Sequence, residues 1–143
     1  MGLDTGDRNV KNLNVDGDLI YEDLLMHKYE KYEFISDDKT LDAEDCGKTL
    51  IVIADAKTIT LPATVVGYYY RIVNGVADGG ALVTVDPNGS DNIEGIDYTG
   101  ADGGAATNTK ATAKRGDFIE LIGDGDAGWY VVKCAGTWVI AES

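Results

Sequence analysis

From Tyr29 onward the chain reads as short apolar runs bounded by Gly, Asp and Asn. Tyr29–Ile35 alternates charged and aromatic residues, and Thr49-Leu50-Ile51-Val52-Ile53 is apolar on both sides. Thr58-Ile59-Thr60-Leu61 alternates and stops at Pro62. Gly67–Val73 ends at Asn74-Gly75, and Ala81–Val85 ends at Asp86-Pro87-Asn88-Gly89. Asp117–Ile122 is a strong run, while Asn92–Tyr98 and Thr109–Ala113 are weaker. Trp129–Cys134 and Thr137–Ile140 flank Ala135-Gly136, which fits a two-residue hairpin. Roughly ten short strands and no convincing long helix predict an all-β sandwich or barrel. Gly100–Ala106 reads as a flexible loop, too poor in large side chains to pack.

Residues 1–18 are polar, with Asp, Asn and Gly interleaved, and carry no core of their own. Residues 19–28 fit a short helix capped by Asp18, with Ile20, Tyr21, Leu24 and Leu25 on one stripe; the run also fits a strand. The chain therefore divides into an N-terminal arm, 1–28, and a β domain, 29–143.

In a strand, alternate residues face opposite ways. Tyr68 and Tyr70 share one face, and Tyr69 and Arg71 share the other. Leu50 and Val52 oppose Ile51 and Ile53 in the same way. A lone sandwich with one solvated side needs only one apolar face per strand. The surplus predicts association between subunits, with closed symmetry as the default for identical copies.

Composition narrows the function. The 143 residues carry 12 Lys+Arg against 25 Asp+Glu, a formal charge of -13. Such a chain lacks the basic surface that neutralises phosphates, so neither nucleic acid nor an anionic membrane is an expected partner. A hydrophobic content of 44% is that of an ordinary globular chain. The start, Met1-Gly2-Leu3-Asp4-Thr5, has no basic region followed by an apolar one, and reads as made in a cytoplasm without a signal peptide.

Candidate chemistry is sparse, and no metal site, cofactor or enzymatic activity is expected. Cys46 and Cys134 form no Cys-x-x-Cys pair and read as small buried residues. Gly123-Asp124-Gly125-Asp126-Ala127-Gly128 matches Gly-x-Gly-x-x-Gly, but a strand-like run follows where a dinucleotide site needs a helix, so it reads as a tight turn. Asp86-x-Asn88-x-Ser90-x-Asn92 resembles part of a calcium loop; Asp91 and Asp97 stand where the loop needs Gly and Glu, which leaves at most a weak, solvent-rimmed site. The one histidine, His27, lies in the arm, and Ser36, Ser90 and Ser143 sit in no nucleophile elbow.

Three stretches carry a resemblance: Lys39-Thr40-Leu41-Asp42-Ala43-Glu44-Asp45-Cys46-Gly47-Lys48-Thr49-Leu50, then Lys57-Thr58-Ile59-Thr60-Leu61-Pro62-Ala63, then Gly67-Tyr68-Tyr69-Tyr70-Arg71-Ile72-Val73-Asn74. Asp91–Gly95, Phe118–Leu121, Gly128–Val132 and Gly136-Thr137-Trp138 extend it. Together they resemble a module of tailed-phage virion proteins, found on head decoration (cement) proteins, head fibres and tail fibres. The resemblance spans about residues 39–140 and leaves the arm outside.

The resemblance implies a β-rich, trimeric, exterior virion subunit without catalytic residues. The expected function is a head decoration protein on the mature capsid exterior, with the major capsid protein and its own copies as partners. Leu19, Ile20, Tyr21, Leu24 and Leu25 are the expected capsid-binding arm residues. Tyr68, Tyr70 and Trp138 are the expected homotrimer contact. The alternative is a receptor- or glycan-binding module of a head or tail fibre, presenting Trp, Tyr and Asp on exposed loops.

Overall fold

The computed structural model describes residues 31–95 and 99–142, which form eleven short strands and one 3-10 turn. The strands are β1 (Tyr32–Ile35), β2 (Lys39–Thr40), β3 (Thr49–Val52), β4 (Lys57–Thr60), β5 (Tyr69–Asn74), β6 (Val83–Asp86), β7 (Asn92–Glu94), β8 (Ala106–Asn108), β9 (Phe118–Gly123), β10 (Gly128–Ala135) and β11 (Val139–Ile140). They make two sheets, one of six strands in the order β1-β3-β5-β9-β10-β7 and one of five in the order β11-β8-β6-β4-β2.

The first six strands alternate between the sheets. Each return lays a strand parallel to its predecessor, so β1, β3 and β5 are parallel neighbours in one sheet and β2, β4 and β6 in the other. Antiparallel strands then extend both ladders: β9 pairs with β5 and β10, and β8 pairs with β6 and β11. Parallel neighbours need a crossover between them, and here the opposite sheet is the crossover.

Strand alternation places one side of each sheet in a shared core. The six-stranded sheet contributes Leu50, Val52, Tyr70, Ile72, Ile119, Leu121 and Trp129; the five-stranded sheet contributes Ile59, Val83, Val85, Ala106 and Ile140. Each large aliphatic side chain buried this way contributes roughly 1.5–3 kcal/mol. The alternation read in Thr58–Leu61 holds, with Ile59 and Leu61 both fully buried.

The turn between β2 and β3 explains the motif at Leu41–Thr49. Asp42 caps the 3-10 turn Ala43–Asp45: its Oδ1 accepts from the Glu44 N–H at 2.9 Å, and Asp45 Oδ2 accepts from the Asp42 N–H at 3.2 Å. The Gly47 N–H donates to the Tyr69 carbonyl at 2.7 Å, and the Tyr70 hydroxyl donates to the Asp42 carbonyl at 2.7 Å. The capped turn is thus fastened to the start of β5.

Four local expectations are corrected. Thr109–Ala113 is a turn, closed by Thr112 and Ala113 N–H groups donating to the Thr109 carbonyl. Part of the stretch expected to be a loop is packed instead: Ala106 opens β8, and Gly104 is buried where a Cβ would meet the Ala141 carbonyl at 2.8 Å. Small residues pack here because backbones approach closely. Ala135-Gly136 is not a hairpin, because β10 and β11 belong to different sheets. Cys134 is exposed on β10, beyond the irregularity at Val131/Lys133, while Cys46 is half-buried; both thiols are free.

The turn reading of Gly123–Gly128 agrees with the structure. Asp124 Oδ1 accepts from the Asp126 N–H at 2.7 Å and the Gly128 N–H at 2.9 Å, between the paired strands β9 and β10.

Candidate functional site: the outward face of the six-stranded sheet

The residues that alternate with the core positions form a second apolar surface. The register aligns Phe34, Ile51, Val73 and Phe118 across β1, β3, β5 and β9. A parallel row carries Tyr32, Thr49, Arg71 and Glu120, and Tyr69 pairs with Ile122, which pairs with Tyr130. Tyr32 and Phe34, 61% and 59% exposed, stack edge to face with centroids 5.5 Å apart. Ile53, Tyr130 and Val132 are also exposed.

One ion pair lies at the middle of this surface. Arg71 directs Nε and a terminal nitrogen at the same oxygen of Glu120, at 2.8 and 2.7 Å. The Glu120 side chain is only 9% exposed. Burial pushes its carboxyl up, but bonds from the Tyr69 hydroxyl and Arg71 outweigh that and hold it below the usual carboxylate range. Burial together with Glu120 raises the Tyr69 phenol. The Arg71 guanidinium also lies 5.6 Å from the centre of the Phe118 ring.

A second charged cluster fastens the β1 edge. Lys39 and Lys48 each reach Glu33 at 3.1 Å, and Lys48 also reaches Asp45 at 2.8 Å. The two lysines hold the Glu33 carboxyl below its ordinary value. Burial raises Asp45, but Lys48 and the Asp42 N–H prevail and lower it.

Of the expected contact residues, Tyr70 is fully buried and Trp138 is 5% exposed within the single chain. Tyr70 packs 5.5 Å from Trp129, and Trp138 Nε1 donates to the Ala135 carbonyl at 3.1 Å. Both belong to the core and offer no surface for a partner, which corrects the assignment of the trimer contact to them. Tyr68 is half-buried against that core. The alternation within Tyr68–Arg71 was legible, but it could not say which side the opposite sheet covers. Tyr32, Phe34 and Tyr130 are the exposed aromatics of this face; the aromatic alternation in Tyr29–Ile35 is the sequence signal of the first two, and the run Trp129–Cys134 that of the third. Leu19, Ile20, Tyr21, Leu24 and Leu25 lie outside the described residues.

Among the described residues no group of three or more His, Cys, Asp or Glu is placed to hold a metal ion, and no helix is long and apolar enough to cross a membrane. No family model matches the chain, and no curated protein matches it.

Proposed function

We propose that this chain is a head decoration (cement) protein of a tailed phage, which binds the mature capsid exterior as a homotrimer and stabilises the shell. The observation that carries the reading is the apolar outward face of the six-stranded sheet on an otherwise strongly acidic chain. Such a face suits a subunit that works in an assembly. The virion-module resemblance supports the same reading, and its residues interlock: Asp42 caps the turn, Gly47 binds the β5 backbone, and Leu41, Leu50, Ile59, Leu61, Tyr70 and Ile72 pack in one core.

The mechanism is multivalent. Three arms on one trimer reach the capsid together, and effective concentration turns weak single contacts into firm attachment. A trimer seated across neighbouring capsid subunits resists their separation under the outward pressure of packaged DNA. The net charge of -13 keeps such a subunit off nucleic acid. It acts on the capsid exterior after synthesis in the host cytoplasm, with no catalytic step and no cofactor.

The test mixes purified protein with undecorated mature capsids and follows co-sedimentation. Saturable binding is expected, and its absence overturns the proposal. Binding to host cells or surface glycans without capsid binding would assign the chain to a fibre receptor module instead.

A further inference from the structure

We infer that the outward face of the six-stranded sheet is where copies of this chain pack against one another. The inference rests on the decoration reading for why the chain should assemble, and it locates the contact.

Three observations favour a second copy as the occupant. The first is topological. β1, β3 and β5 are a parallel trio with one side on the core and the other left uncovered by the described residues. Strands covered on both sides read as apolar on both, and this trio does so, with Leu50 and Val52 opposed by Ile51 and Ile53, and Tyr70 and Ile72 by Tyr69 and Val73. Here the open side carries Phe34, Ile51, Ile53, Phe118 and Tyr130.

The second is charge. The chain carries -13, so two copies repel over most approaches. Across β1, β3, β5 and β9, however, Glu120 is the only acid at an outward position, and Arg71 neutralises it. On the rest of the sheet Lys133, opposite Glu120 on β10, balances Glu94, opposite Tyr130 on β7, so this face offers a basic partner no excess of acids. A second copy brings a surface equally neutral and equally apolar. The Arg71–Glu120 pair is already bonded within the chain, so covering it strands no polar group.

The third is size. Five strands at ~4.8 Å spacing and about six residues at ~3.3 Å make a footprint of roughly 500 Å². That is the order of the ~800 Å² of accessible surface each partner commits to a stable interface.

The experiment measures the mass of the full chain by light scattering at micromolar concentration, beside the double variant F34E/I53E. Both positions are exposed, so folding is expected to persist, with unchanged far-UV circular dichroism. The wild type is expected at two or more times 15.2 kDa and the variant at 15.2 kDa. Val66→Glu, at an exposed apolar position on the β4–β5 loop, is expected to keep the wild-type mass. Should F34E/I53E fail to fold, Ile53→Glu alone gives the same reading.

A wild type that is monomeric, as when the chain's own residues 1–30 cover the face, overturns the inference. So does a folded variant that keeps the wild-type mass. Capsid co-sedimentation separates the two claims. A monomeric wild type that binds capsids sinks the inference and the trimer with it but leaves capsid decoration standing; an assembly broken by F34E/I53E that ignores capsids upholds the contact and sinks the decoration reading.

Discussion

The side-chain amide of Asn74 donates to Oδ1 of Asn108 over 2.8 Å, joining β5 of one sheet to β8 of the other inside the core. The bond is one link in a chain. Asn108 Nδ2 donates onward to Asp117 Oδ2 at 3.0 Å and to the Thr137 carbonyl at 2.9 Å, and Asn74 Oδ1 accepts from the Val76 N–H at 3.1 Å. Both asparagines are buried, so each bond replaces one that water would have made.

Replacing Asn108 with alanine leaves Asn74 Nδ2, Asp117 Oδ2 and the Thr137 carbonyl each short of a partner. Each buried group left unpaired costs about 1–3 kcal/mol, less where a second bond remains. The expected loss is about 2–3 kcal/mol, read as a lower urea midpoint at unchanged slope.

The Arg71–Glu120 pair calls for a double-mutant cycle. Arg71→Met strands a nearly buried carboxylate, and breaking a buried pair costs about 3–5 kcal/mol. Arg71 keeps a third of its surface exposed, so about 2–3 kcal/mol is expected. Adding Glu120→Leu should recover most of it, because two apolar side chains suit this surface. A double variant no more stable than Arg71→Met would show that the pair is not the source of the loss.

Acid should weaken the fold through named groups. Glu33, Asp45 and Glu120 all have carboxyls held below their ordinary values of 4.5, 3.8 and 4.5. A carboxyl lowered in the folded state adds stability that is fully present above its unfolded value and is lost as pH falls through the folded one. The melting temperature should therefore hold steady above about pH 5.5 and decline as pH drops through 4.5 and below. Asp45→Asn and Glu120→Gln should each flatten that decline.

Gly136 marks the passage from β10 to the other sheet. Its φ is +87°, and a Cβ there would stand 2.1 Å from Asp117 Cγ. Asp117 is held by Asn108 and by the Lys114 N–H, so it has little freedom to retreat. Gly136→Ala should cost about 3 kcal/mol from strain and overlap together, measured as a fall in melting temperature.

Deleting residues 1–28 should abolish capsid co-sedimentation and leave the oligomer mass, in subunits, unchanged. A truncated protein that still decorates capsids would move the binding surface from the arm to the β domain.

Fold class was legible because strand signals are local. Thr58–Leu61 alternates, Asp117–Ile122 is a strong apolar run, and Gly, Asn and Asp punctuate such runs at the turns. The Gly123–Gly128 turn was equally readable, since Asp124 needs only its near neighbours to close it. That Thr49–Ile53 is apolar on both sides, and that Tyr68–Arg71 carries aromatic area on both, was also a property of the sequence alone.

Which side faces inward was not. Alternation is symmetric, and only the opposing sheet decides that Tyr70 is core while Tyr69 and Arg71 face outward. Sheet membership was hidden too: Ala135-Gly136 looks like a hairpin, yet β10 and β11 part to different layers because β11 finds its partner in β8, about thirty residues back. Local chemistry sets what a segment becomes, and long-range pairing, invisible in a single stretch of chain, sets what it touches.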